Sequence, residues 1–277
     1  MTRNRFVLPV LLFFYRGGSD FASFEILPDI ISILGFYEDI SAVYDDLFPV
    51  SAAQLSLLNS LREETGARFV VDCGCGTGAQ LLPFVVSGVE CLGFDPDPSL
   101  VAIAREKLAA WPNVRIEEGG FADLTRLAGA ARDILLCLGN SLVHVTPEQA
   151  GRFLADAVRA ISPQGRMLLQ ILNYERLLCD GVEELAPIKS SDGSVELRRR
   201  YKWEDRRKVL FRTTLSVSTV EGPRVACNEI PLYPIYPEEL NEMIEAAGFE
   251  DIRFFGDFSR SVFCADSEAV VCLARKA

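Results

Sequence analysis

One histidine among 277 residues leaves this chain short of the ligands an ordinary zinc site needs. The eight cysteines do not make up the deficit. No Cys-x-x-C pair occurs, and five of the eight fall in apolar strand-like runs or in a glycine-rich loop. A free thiol in such places behaves as a small apolar side chain. Neither a metal nor a disulfide framework is expected, and reduced thiols suit the cytosol. Basic residues are also scarce: 28 Lys and Arg against 39 Asp and Glu give a net charge of −11. That balance argues against a nucleic-acid substrate, because phosphate binding needs a basic face. No apolar stretch approaches the length that crosses a bilayer. Arg3 and Arg5 ahead of Phe6–Phe14 have the charge and length of a signal peptide, yet no small-x-small cleavage site follows and Arg16 abuts the run. Internal repeats and low-complexity tracts are absent as well. What remains is 49% hydrophobic, enough in a chain of this length to fill an α/β core.

The most informative segment is Val70-Val71-Asp72-Cys73-Gly74-Cys75-Gly76-Thr77-Gly78. An apolar strand runs into an acid, then glycines at alternate positions, then a helix-like segment, Ala79 to Val86. Glycine serves where backbone turns sharply or a ligand meets the main chain without a Cβ. The helix that follows presents free N–H groups at its start. Together these features mark a nucleotide-cofactor loop in an open α/β sheet. Gly74, Gly76 and Ala79 alone also satisfy a dinucleotide fingerprint, with Asp95 about where its ribose acid belongs. Asp72, two before the first glycine, and Gly78, two after the second, are the discriminating residues.

The Asp-x-Gly-x-Gly-x-Gly pattern resembles motif I of the class I S-adenosylmethionine-dependent methyltransferases. The resemblance implies that Asp72, Gly74, Cys75, Gly76 and Gly78 wrap the methionine part and ribose of S-adenosylmethionine. A second apolar run, Glu90–Asp95, ends in the acid that accepts both ribose hydroxyls in this family, a task a carboxylate performs well. Pro96 follows, Asp97 reads as a helix-start acid, and Leu100 matches the apolar position on the adenine. After the third strand, Val114–Glu118, the family's Gly-Asp is Gly119-Gly120 here. The acid that meets the adenine amino group is missing, which leaves the main-chain N–H of Phe121 beside Gly120; Asp123 is not counted on in its place.

The fourth strand, Asp133–Leu138, ends in Gly139-Asn140-Ser141-Leu142-Val143-His144, beside strand one, where open α/β sheets bind ligands. This run resembles glycine N-methyltransferase and related small-molecule N-methyltransferases, and so does Ile171-Leu172-Asn173-Tyr174. The resemblance implies cofactor contacts from Leu138, Gly139, Asn140, Ser141 and, in the N-terminal helix, Tyr44. It places Asn140, His144 and Tyr174 around the reacting methyl and Asn173 at the substrate. The relatives' carboxylate-gripping arginine is Leu172 here. An apolar side chain cannot replace a bidentate guanidinium, so glycine is not expected as substrate unless Arg198 to Arg200 supply the clamp. His144 either acts as a general base, for which its ordinary pKa is suited, or simply packs at a helix start.

Two β-rich runs, Glu196–Trp203 and Lys208–Val217, flank Glu204-Asp205-Arg206-Arg207 as a hairpin, with a third strand at Val225–Leu232. Family insertions here roof the substrate, and Tyr201, Trp203 and Tyr236, with Phe211 and Tyr233, are the aromatics expected to line it. The basic cluster Arg198–Arg200 with Lys202 reads first as a solvated face and second as an anion clamp. Pro237 opens a last helix, and Phe249–Phe255 with Ala269–Arg275 reads as a final antiparallel pair. The implied fold is a Rossmann-like α/β methyltransferase: a seven-stranded, mostly parallel sheet of order 3-2-1-4-5-7-6, flanked by helices, with an antiparallel β insertion over the substrate site. Residues 1–35 are expected to be an extension or an over-called start, 36–277 the methyltransferase domain and 187–233 a β-rich lid, with Pro187–Gly193 as a linker. The implied activity is cytosolic transfer of a methyl group from S-adenosylmethionine to a small-molecule acceptor. Nitrogen is favoured over oxygen, no metal, nucleic acid or membrane takes part, and the enzyme is a monomer or homodimer. A silent S-adenosylmethionine-binding regulator and an NAD(P)-dependent oxidoreductase stand as alternatives, the latter without a Tyr-x-x-x-Lys pair.

Overall fold

The structure, a computed structural model, describes residues 43–218 and 222–277. The expected extension at 1–35 and the domain start at Phe36–Ile40 lie outside the described residues. In chain order the described strands are β1 (Phe69–Cys73), β2 (Glu90–Asp95), β3 (Val114–Glu118), β4 (Arg132–Cys137), β5 (Ile161–Leu172), β6 (Glu184–Lys189), β7 (Val195–Asp205), β8 (Lys208–Val217), β9 (Arg224–Leu232), β10 (Phe249–Phe255) and β11 (Ala269–Lys276). They form one sheet of order β10-β11-β5-β4-β1-β2-β3 and a second of order β6-β7-β8-β9. In the first, β1 to β5 are parallel and β11 runs antiparallel to both its neighbours. Counting only its own strands, this is the expected order 3-2-1-4-5-7-6.

Strands β1 and β4 are near-continuous apolar runs because both faces of a parallel sheet are covered; Val70, Val71, Ile134 and Leu135 have no exposed surface. On one face, helices Ala52–Thr65 and Pro98–Leu108 bring Leu57, Leu58, Leu61, Val101 and Leu108 into a cluster with Val70 and Ile134. On the other, helices Pro147–Ala160 and Pro237–Ala247 contribute Phe153, Leu154, Leu240 and Ile244. Burying each such side chain contributes about 1.5–3 kcal/mol. The chain runs outward from β1 to β3 and then returns to β4 on the other side of β1. That reversal opens a crevice at the carboxyl ends of β1 and β4.

Two local expectations need correction. The helix expected over Ala79–Val86 is a single 3₁₀ turn, Ala79–Leu81, followed by a short helix, Leu82–Val85. Pro83 has no N–H to give the carbonyl of Ala79, and its ring would clash with that group in a continuous α-helix. The supposed linker Pro187–Gly193 overlaps β6, so the second sheet begins at Glu184. Proline is tolerated there because β6 is an edge strand.

The β7–β8 hairpin pairs Tyr201 with Phe211 and Trp203 with Val209. Asp205 Oδ1 closes its turn by accepting from the N–H groups of Arg207 and Lys208 at 2.6 and 2.9 Å. The second sheet and helix Tyr44–Leu47 share a small core of their own: Leu47, Val195, Leu197 and Leu215, with Tyr44 and Phe48 packed against it. Leu197 has no exposed surface. Leu197→Ala should therefore destabilise the protein by about 2–5 kcal/mol, read as a lower urea midpoint; an unchanged midpoint would show that this small core does not join roof to helix.

Candidate active site

The loop after β1 turns through Gly74, Gly76 and Gly78 at φ of +78°, +54° and +74°. Space differs around the three. A Cβ on Gly74 would sit 2.9 Å from Ser141 Oγ, and one on Gly78 would sit 2.8 Å from Leu108 Cδ1. On Gly76 its nearest neighbours would be atoms of the Tyr44 side chain, from 3.7 Å, and Gly76 borders a cavity. The loop is fastened to β2. Gly74 and Cys75 N–H donate to the Phe94 carbonyl at 2.9 and 3.1 Å, and Gly76 N–H donates to Asp95 Oδ2 at 2.9 Å. Asp95 Oδ1 accepts from Asp97 N–H at 2.9 Å. Asp97 in turn caps helix Pro98–Leu108 through the N–H groups of Ser99 and Leu100. From the other side, Asp45 accepts from Thr77 Oγ1 and Lys107 Nζ, and Lys107 also donates to Thr77 at 2.9 Å.

Two buried carboxylates lie here. Burial, opposed by its two N–H donors, pushes Asp95 up to about 6. Asp72, at the end of β1, has no exposed surface, and neither of its oxygens has a hydrogen-bond partner. Burial first, and then the charge of Asp95, push it up to about 8. Ionising such a group is costly until a cation or donor meets it. Asp72 borders neither cavity, but its charge is felt there. Burial first, then Asp95, Asp45 and Asp72, raise the phenol of Tyr44, which borders both.

The two cavities, of about 290 and 320 Å³, share walls at Tyr44, Gly74, Gly76, Gly139, Ser141 and His144. The first is bordered by Asp95, Pro96, Leu100, Gly120 and Phe121, as expected, and by Phe94, Gly119 and Val145, which the sequence did not single out. It is an apolar slot with an acid on its wall. Asp123 turns away from it, accepting from Gly120 N–H at 3.0 Å and pairing with Arg126. The second cavity takes Cys75, Leu138, Asn140 and Leu172 from the strand ends, and Leu197, Arg199, Tyr201 and Phe211 from the second sheet. Asn140, at φ +66°, donates to Tyr174 Oη and accepts from Leu172 N–H, each at 2.9 Å. Gln170, a polar residue in an otherwise apolar strand end, accepts from Gly139 N–H at 2.9 Å. Burial lowers His144 to about 4, so its imidazole is neutral at pH 7.

Besides Asp72, five expected site residues stand away from these two cavities. Tyr174 has no exposed surface and reaches the site only through Asn140. Asn173 caps helix Tyr174–Cys179 and donates to the carbonyls of Ala265 and Ser267 at 3.1 and 3.0 Å, which fixes a loop instead of a substrate. Trp203 shares a face of β7 with Tyr201 but lies two residues further along, a shift of roughly 7 Å. It borders a separate cavity with Glu184, Arg200 and Arg212. Tyr236 donates to the Arg206 carbonyl at 2.7 Å, at the hairpin turn. Gly78 packs on Leu108 and Ala104 of helix Pro98–Leu108. The basic cluster also divides. Arg198 and Arg200 pair with acids on the exposed face, whereas Arg199, alternating with them, borders the second cavity.

Residues 70–165 match the methyltransferase domain family. Over 239 residues the chain is 26% identical to the glycine/sarcosine N-methyltransferase of Parasynechococcus marenigrum, covering 81% of this chain and 79% of that one. The glycine/sarcosine N-methyltransferase of Aphanothece halophytica is 23% identical over 216 residues, 77% and 78% of the two chains. The solved structure of the CcbJ methyltransferase from Streptomyces caelestis is 25% identical, with a TM-score of 0.72 over 86% of this chain and 96% of that one. Glycine loop, strand-two acid, sheet order and these likenesses agree: residues 70–165 match a methyltransferase domain, and together they support a class I S-adenosylmethionine-dependent methyltransferase resembling the glycine N-methyltransferases.

Proposed function

We propose that this enzyme methylates the nitrogen of a small-molecule amine larger than glycine. The observation that carries the reading is a shortage. Among the described residues, the wall of the second cavity carries a fixed amide, Asn140, and a neutral His144 but no base poised near neutral pH, and the raised carboxylates Asp72 and Asp95 do not border it. Asp45 is tied to Thr77 and Lys107, and burial pushes Tyr201 up to about 12. A hydroxyl acceptor must shed a proton as it is methylated, whereas a neutral amine arrives with its lone pair free. The glycine/sarcosine N-methyltransferases that the chain resembles support the same choice.

When bound, S-adenosylmethionine supplies a methyl group made electrophilic by its sulfonium. The residues present fit that molecule. Asp95 takes the ribose hydroxyls, Pro96, Leu100 and Phe121 hold the ring, and Gly74 and Gly76 admit the methionine part close to the main chain. Asp72 supplies the buried negative charge that answers a cation. Asn140 orients the acceptor, and Tyr174 positions Asn140. His144, being neutral, does not repel the cationic methylated product. In-line alignment of nitrogen with the methyl group then supplies most of the acceleration.

Matched amines and alcohols incubated with enzyme and S-adenosylmethionine should gain a methyl group on nitrogen alone; comparable kcat/KM for a phenol would contradict the assignment. Gly76→Val should abolish S-adenosylhomocysteine binding with an unchanged circular-dichroism spectrum, while Asp95→Ala should weaken it by about 1.5–3 kcal/mol for each charge-assisted bond lost. Wild-type affinity in either variant would place the cofactor elsewhere.

The buried charge has its own test. In the ligand-free protein Asp72 keeps its proton up to about pH 8, whereas in the unfolded chain it ionises at about 3.9. The folded state therefore holds an extra proton across that window, and this group's contribution to stability falls as pH rises through it. Asp72→Asn should flatten that slope, raise the urea midpoint at pH 8 and weaken S-adenosylmethionine binding. A pH slope equal to that of the wild type would show that Asp72 is ordinarily ionised.

A further inference from the structure

Arg199 stands apart from the other arginines of the roof. Arg198 pairs with Glu196 and Glu184, Arg200 with Glu184, and Arg212 with Glu229. Arg199 pairs with no carboxylate among the described residues. One terminal nitrogen, Nη2, donates to the carbonyl of Ala186 at 3.0 Å, and its Nε is buried without a partner. Burial lowers the guanidinium from its ordinary pKa, opposed by the Tyr201 phenol and by no carboxylate. An unpaired, partly desolvated cation is a standing cost to the fold. Here it is retained in a chain with 39 acids, next to neighbours that each have one.

Its surroundings point to a ligand. Arg199 borders the cavity shared by Asn140, Leu172, Tyr201 and Phe211, and it does not border the slot of Asp95 and Leu100. A guanidinium with Nε unsatisfied is a fork for a planar carboxylate. Beside it the Tyr201 and Phe211 rings, 5.2 Å apart, offer apolar surface. Resting on the N-methylation reading, we propose that Arg199 grips a carboxylate on the methyl acceptor. The substrate is then an amino acid with an apolar body, held from the roof, while Leu172 on the strand floor makes no anionic contact. The cofactor also carries a carboxylate, so the test must separate the two sources.

The probes are four acids, each paired with the amine it becomes on losing its carboxylate: glycine and methylamine, β-alanine and ethylamine, 4-aminobutyrate and propylamine, phenylalanine and 2-phenylethylamine. At least one acid other than glycine should be methylated with a higher kcat/KM than its partner amine. In Arg199→Met its KM should rise about 10–100-fold with kcat little changed, and Arg199→Lys should recover only part of the loss. S-adenosylhomocysteine affinity should be the same in all three proteins. Without acceptor, Arg199→Met should keep or raise the urea midpoint, because a buried cation is removed and the exposed Ala186 carbonyl can take water. Equal use of acids and amines, or no methylation of any acid, would overturn the proposal. So would loss of cofactor affinity in Arg199→Met, which would assign Arg199 to the cofactor's carboxylate, or a fall in midpoint, which would make it structural. Methylation of the amines alone would overturn the role of Arg199 and leave N-methylation standing.

Discussion

The hydrogen bond from Gly76 N–H to Asp95 Oδ2, 2.9 Å long, is the contact on which the site depends. A loop of glycines has little side-chain surface with which to hold itself, and glycine, lacking a Cβ, has the most conformational freedom to lose on folding. Asp95 supplies the missing constraint by fastening the loop to the tip of β2, and its second oxygen fixes the start of the next helix through Asp97. Strand one, strand two and the following helix are thereby registered at one carboxylate. That same carboxylate faces the slot, so the group that shapes the loop is also the one that the proposed function offers to the ribose.

Charge in this site is arranged by withholding partners. Asp72 and Arg199 are of opposite sign, belong to different sheets, and each has buried polar atoms that nothing in the described protein satisfies. Elsewhere this chain pairs its charges freely: Asp123 with Arg126, Glu184 with Arg200. Apolar replacements would be cheaper than either unpaired group. A cationic donor and an acidic acceptor, bound side by side, would relieve both. Tyr44, Phe48 and Leu197, from the core shared by helix Tyr44–Leu47 and the roof sheet, border the second cavity.

The parts of the site legible in the sequence are those where backbone chemistry dictates residue type. Asp72, Gly74, Gly76 and Asp95 sit at a strand–loop boundary where only certain residues fold, and sheet order came with the family resemblance that these residues carry. Gly78 shows the limit of that logic: its glycine serves packing on Leu108, a contact no local pattern reveals. Asn173 and Tyr174 lie next to the reacting end in sequence, yet the start of a helix carries them into the core. On the roof, the family resemblance offered Tyr201 as a lining aromatic, and strand alternation counted from it places Arg199 on the same face. Reading 198–200 as one basic cluster concealed the alternation. Trp203 and Tyr236 were aromatic and nearby, but reach along β7 is set by residue count, which carries Trp203 past the cavity, and Tyr236 at the start of the last helix is held at the hairpin turn.

The central claim is that a buried carboxylate waits protonated for a cationic cofactor. Calorimetric titration with S-adenosylmethionine at pH 7, in two buffers of different ionisation enthalpy, counts the protons exchanged on binding. With Asp72 held up to about 8 before binding and ionised in the field of the bound sulfonium, binding should release a substantial fraction of a proton, and Asp72→Asn should release less. Binding without proton release in the wild-type enzyme would contradict the claim.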